Sequence, residues 1–138
     1  MGSEHNWTIE PLHCGISVSN LEESIEWFGR VLDFEVVSRD SIPQAGFDLA
    51  FLRNGEFEIE LFQCYEYQEM SEERKLPNLD VKTLGTKHIC FAVDNLDNLV
   101  ETFRKNNVEI VQGPERLIGN YYCFIHGPND ILIEFIER

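Results

Sequence analysis

Two histidines and two glutamates recur at matching places in the two halves of this chain. Sliding the sequence by 75 positions lays HCGISVSNLEESIEWF (13–28) over HICFAVDNLDNLVETF (88–103), and a shift of 74 lays FEIELF (57–62) over ILIEFI (131–136). His13 then matches His88 and Glu60 matches Glu134, 47 residues apart in the first copy and 46 in the second. A single strand histidine is more often a hydrogen-bonded core or surface residue than a ligand, and His5 and His126, which have no partner in the repeat, are read that way. An imidazole and a carboxylate repeated together point instead to a divalent-metal site, or to a binding module that keeps the same groups for hydrogen bonding. Glu134 favours the metal. It interrupts an otherwise apolar strand, where a lone ionised carboxylate is costly to bury unless it is paired or bound to a cation.

The surrounding pattern supplies elements to position these groups. A short strand (11–18, then 87–93) runs in each half into a helix cap, Asn20 with Glu23 three residues on, and Asp94-Asn95 in the second copy. Leu21, Ile25, Phe28 and Leu32 keep helical spacing after the first cap, as do Leu96, Leu99, Val100 and Phe103 after the second. A further strand follows each helix (34–39, 108–112), then a strand pair: 47–53 with 56–63 across Asn54-Gly55, which favours a type I′ turn, and 121–125 with 131–136 across HGPND. Side chains two apart on a strand share a face. His13, Gly15 and Ser17 therefore face one way, as do His88, Cys90 and Ala92, and their small neighbours leave room before each imidazole. The expectation is an α+β fold of two β-α-β-β-β modules, 11–65 and 86–137, in a single domain spanning 9–137 with a polar excursion at 66–85.

Composition limits the partners. With 138 residues and a formal net charge of −14, the chain would repel nucleic acid and anionic lipid, and its length needs no disulfide or structural metal. No apolar run is long enough to span a bilayer, and MGSEHNW lacks the basic and apolar parts of a signal peptide, so a cytoplasmic protein is expected. Cys14, Cys64, Cys90 and Cys123 read as reduced core thiols. Arg74, Lys75, Lys82 and Lys87 could gather around an anionic ligand, or form a solvated loop paired with acids.

Taken together, His13 in LHCGISVSNLEESIEWFGRVLDFEV, Glu60 in FLRNGEFEIELF, His88 in GTKHICFAVDNLD and Glu134 in GPNDILIEFI resemble the vicinal oxygen chelate superfamily, the glyoxalase/bleomycin-resistance/dioxygenase fold. The resemblance covers roughly residues 9–137. It implies a curved mixed sheet around a metal, with His13, Glu60, His88 and Glu134 as ligands, a homodimer, and a small-molecule substrate. Two imidazoles and two carboxylates suit Ni²⁺, Co²⁺, Zn²⁺, Mn²⁺ or Fe²⁺. Four protein ligands leave an octahedral ion two open positions, which suits a chelating carbonyl substrate better than ring-cleaving dioxygenation, where O₂ needs a third. The pattern is similar to the glyoxalase I and methylmalonyl-CoA epimerase branches, in which a proton moves at carbon beside a carbonyl. Glu134 or Glu60 would be the base. Ser17 and Cys64 stand where glyoxalase I enzymes of the bacterial type commonly hold glutathione with Arg and Asn. Ser17, Phe62, Cys90 and Arg116, the last in a loop, are the candidate substrate contacts. The alternatives are a metal-free ligand-sequestering protein of the same fold and a ring-cleaving dioxygenase.

Overall fold

A computed structural model describes residues 5–138. The leaderless start expected from MGSEHNW falls partly on residues 1–4, outside the described residues. The chain divides into two compact units, Met1–Tyr65 and Glu66–Arg138. The first contains β1 (His13–Ser17), α1 (Leu21–Leu32), β2 (Glu35–Ile42), β3 (Phe47–Asn54) and β4 (Phe57–Cys64). The second begins with the polar segment, which holds a short helix, α2 (Pro77–Asp80), and continues through β5 (Ile89–Val93), α3 (Leu96–Lys105), β6 (Ile110–Leu117), β7 (Asn120–His126) and β8 (Leu132–Glu137). Each unit has one four-stranded mixed sheet, in the orders β1-β4-β3-β2 and β5-β8-β7-β6. The β-α-β-β-β plan is thus present twice, as an α+β fold.

Local chemistry explains the helices. Asn20 Oδ1 accepts from Glu23 N at 3.0 Å and Asn95 Oδ1 from Asn98 N at 3.1 Å, so each helix begins at the asparagine its sequence offers. Helix α1 ends at Asp33, left-handed at φ 58, a conformation a short polar side chain tolerates. Leu21 and Phe28 of α1 and Leu96, Val100 and Phe103 of α3 are buried. Ile59, Leu61 and Ile133 are wholly buried and Phe135 nearly so, and the Phe103 and Phe135 rings meet at 5.3 Å. These alternate positions cover the helix side of each sheet and leave Glu60 and Glu134 on the opposite face.

The parallel pairing fixes the register on which the site depends. In the first unit Gly15 of β1 lies opposite Glu60 of β4. In the second Cys90 of β5 lies opposite Glu134 of β8. Each histidine is two residues before the glutamate's partner, on the same face.

Three turns and strands differ from expectation. Asn54 pairs with Phe57, so the first hairpin turns through Gly55-Glu56, with Gly55 at φ 60 and Glu56 not among the positive-φ residues. That is the pattern of a II′ turn rather than I′. Asn54 instead donates its side-chain amide to Leu32 O at 2.8 Å, tying the hairpin to the end of α1. Strand β6 runs on to Leu117, with register shifts either side of Gln112. At Gly113 a Cβ would stand 2.6 Å from Tyr122 O, so glycine is what lets the irregular strand approach β7. The I′ signature appears in the second unit, where Ile118 (φ 51) and Gly119 (φ 78) join Leu117 to its partner Asn120.

Ile118 is 91% exposed and β-branched in a left-handed conformation. Ile118→Asn, which suits this position in both respects, is expected to raise stability by about 1 kcal/mol. Urea denaturation checks this, and a lower midpoint for the variant would contradict it.

The polar segment is held by a buried acid. Asp80 is 3% exposed, with Arg74 Nε at 2.9 Å and Lys87 Nζ at 3.2 Å from its Oδ1. Arg74 Nη2 also donates to Thr86 O at 2.9 Å and Lys87 Nζ to Asp80 O at 2.6 Å. Lys75 pairs with Glu72 at 3.0 Å and approaches Asp130 at 3.7 Å. Arg74, Lys75 and Lys87, three of the four cations of this segment, are therefore paired with acids, the second of the two expectations for them. All four cysteines are free, but only Cys123 is fully buried and Cys90 keeps exposed surface. Among the described residues no helix is long and apolar enough to cross a membrane.

Candidate functional site

The structure places the four expected ligands in two His–Glu pairs, one within each unit. His13 Nε2 lies 3.3 Å from Glu60 Oε1, and His88 Nε2 lies 3.0 Å from Glu134 Oε1. The side chains are partly open, 30% and 20% exposed in the first pair and 33% and 15% in the second. Among the described residues no group of three or more His, Cys, Asp or Glu gathers closely enough to hold an ion.

The donor spacing suits coordination. Metal bonds of about 2.1 Å place two donors about 3.0 Å apart at a right angle and about 3.4 Å apart at the tetrahedral angle. The two observed separations, 3.3 and 3.0 Å, fall within that range. The same separations are those of hydrogen bonds, and His88 Nε2 and Glu134 Oε1 share one at 3.0 Å, so each pair is compatible with an ion without requiring it.

A phenylalanine completes each pair. Phe51 lies opposite Glu60 on β3 and meets the His13 ring edge-on at 5.2 Å; Phe124 lies opposite Glu134 on β7 and meets the His88 ring edge-on at 4.8 Å. The aromatic edges restrict imidazole rotation and so hold Nε2 toward the carboxylate. Neither residue was singled out from sequence, although a shift of 73 lays FDLAFLRN over NYYCFIHG and matches the two phenylalanines.

The remaining candidates are placed unequally. Ser17 lies opposite Phe62 on the His13 face. The Phe62 ring rests over Gly15, whose absent Cβ would meet it at 3.3 Å, so part of the room expected beside His13 is filled. Cys90 stands beside Glu134, and packing around its sulfur together with that carboxylate pushes its thiol up to about 12. It is a neutral thiol at neutral pH. Arg116 is in β6 and not in a loop; it pairs with Tyr121, on the face opposite to Glu134, and its guanidinium lies 4.4 Å from the centre of the Tyr121 ring.

Comparison with known proteins identifies the family and the fold. The family model of the Glyoxalase/Bleomycin resistance protein/Dioxygenase superfamily matches residues 12–124. The chain belongs to this superfamily. The matched span includes His13, Glu60 and His88, and Glu134 lies beyond its end. Among relatives of this glyoxalase-superfamily protein, a lactoylglutathione lyase from Escherichia coli O157:H7 is 30% identical over 135 residues, covering 92% of this chain and 91% of the relative. A lactoylglutathione lyase from Neisseria meningitidis serogroup A is 26% identical, covering 92% and 89%. A glyoxalase family protein from Enterococcus faecalis shares the fold with a TM-score of 0.78 at 21% identity, over 93% of this chain and 97% of the other.

Proposed function

We propose that this superfamily member is a divalent-metal-dependent lyase or isomerase that moves a proton at the carbon beside a carbonyl. The observation that carries the reading is the repeated His–Glu pair, set at the same strand register in both units, with the two groups of each pair side by side. His13, Glu60, His88 and Glu134 would hold the metal, which when bound supplies Lewis acidity to a carbonyl oxygen. The lactoylglutathione lyase names of its relatives support chemistry of this class. The proposal includes a homodimer and a small-molecule substrate.

The protein groups act as follows. Glu134 or Glu60 takes the α-proton and returns it to the adjacent carbon or the opposite face. Phe51 and Phe124 pack edge-on against the histidines and hold them in place.

Proton-exchange NMR in D₂O tests the reading on a panel of glutathione hemithioacetals, acyl-CoA esters and α-hydroxyketones. Exchange on at least one class, abolished by chelator and restored by Ni²⁺ or Co²⁺, is expected. Absence of metal-dependent exchange on every class would favour the metal-free ligand-sequestering alternative.

A further inference from the structure

A set of polar side chains shares the face of the second sheet with His88 and Glu134. Tyr122 donates its hydroxyl to the Glu115 carboxylate, and Gln112 Nε2 donates to Tyr122 Oη at 3.1 Å and to Glu115 Oε1 at 3.2 Å. Register places the set. Phe124 lies opposite Glu134 and Gln112 opposite Phe124, while Tyr122 lies opposite Ile136 and Glu115 opposite Tyr122. The Tyr122 ring is 5.9 Å from Phe124, whose other neighbour is the His88 imidazole. The polar set therefore begins one side chain beyond the His–Glu pair.

Its parts differ in exposure. Tyr122 is only 6% exposed, Gln112 half-buried and Glu115 exposed. The hydrogen bond to Glu115, with burial, raises the Tyr122 hydroxyl above its ordinary range and keeps it a neutral donor. A carboxylate offers about four lone-pair sites. Tyr122 and Gln112 occupy two acceptor directions and fix the plane of Glu115, which leaves acceptor capacity facing solvent. Arg116, next in sequence, lies on the other face against Tyr121 and does not neutralise Glu115 from this side. The surface here accepts hydrogen bonds and carries negative charge.

Resting on the reading of the His–Glu face as a carbonyl site, we propose that Glu115, oriented by Tyr122 and Gln112, is a specificity-determining residue. It accepts a hydrogen bond from a hydroxyl on the substrate's tail and excludes a tail that ends in a carboxylate. Tyr122 and Gln112 are positioning residues. The substrate class is a hydroxyl-bearing carbonyl compound rather than one with an anionic tail.

Calorimetric binding of hydroxamates to the Ni²⁺-loaded full chain tests this without turnover. The probes are acetohydroxamate, which has no tail, a hydroxybutanohydroxamate ending in a hydroxyl, and succinomonohydroxamate, which has the same carbon chain ending in a carboxylate. The native chain is expected to prefer the hydroxyl probe over the carboxylate probe by at least about tenfold. Glu115→Gln, an exposed conservative change, should bring that ratio close to one and leave acetohydroxamate affinity unchanged. Tyr122→Phe should lower the ratio by about threefold, the effect of loosening rather than removing the acceptor. An unchanged ratio in Glu115→Gln, or a native preference for the carboxylate probe, would overturn the role of Glu115. Failure of acetohydroxamate itself to bind would overturn the carbonyl-site reading and this proposal with it; tight acetohydroxamate binding without tail selectivity would overturn this proposal alone.

Discussion

Replacing His88 by Ala is expected to lower Ni²⁺ affinity by at least about a hundredfold, the upper end of what losing a mere supporting residue of a metal site costs. The loss should leave the fold intact, because the His88 side chain is 33% exposed. A melting temperature within a few degrees of the native chain, beside a collapsed binding isotherm, is the expected combination. Glu134→Gln separates the two tasks assigned to that position. The amide oxygen can still ligate but cannot take a proton, so metal affinity should fall modestly while deuterium exchange at the substrate carbon falls by about 10²–10⁴ if Glu134 is the base. Glu60→Gln is the matched comparison. The variant with the larger loss of exchange at retained metal identifies the base, and full exchange in both would contradict proton transfer by either carboxylate.

Asp80→Asn should cost about 3 kcal/mol at neutral pH, because it strips a buried carboxylate from two cations and leaves their charges unpaired. Burial alone would raise the Asp80 carboxyl, but hydrogen bonds from Arg74 and Lys87, with their charges, more than offset it and hold the group below the usual range. The pH dependence follows from that direction. A carboxylate whose folded value is depressed contributes fully above its unfolded value of about 3.9, and its contribution is lost as pH falls through the lower folded value. The stability difference between the native chain and Asp80→Asn, measured by urea denaturation, should therefore be constant from pH 7 to about 5 and shrink below about 4. A difference that persists unchanged into strong acid would show that shape rather than charge holds the segment.

Much of this molecule was legible because it is written twice. The repeat aligned His13 with His88 and Glu60 with Glu134, and period-two alternation assigned each to a face that the observed register shares. Phe51 and Phe124 are less legible, because their shift is 73, one less than the shift that matches the glutamates, and phenylalanine is not a residue type that marks chemistry. Glu115 and Tyr122 were hidden by irregularity. Gln112 and Glu115 are three apart, so alternation places them on opposite faces, whereas the register shift between them returns both to the face of Glu134. The same shift carries Arg116 to the other side. Asp80 shows the limit of composition: an acid in a charged stretch reads as solvated, and only the folded chain reveals Arg74 and Lys87 closing over it.

Metal titration of the stripped full chain tests the central claim most directly. The proposed joint ligation by His13, Glu60, His88 and Glu134 predicts about one tightly held Ni²⁺ per chain, lost on changing either histidine to alanine. Fewer than about 0.1 ion per chain retained after gel filtration, with no tight rebinding, would contradict it.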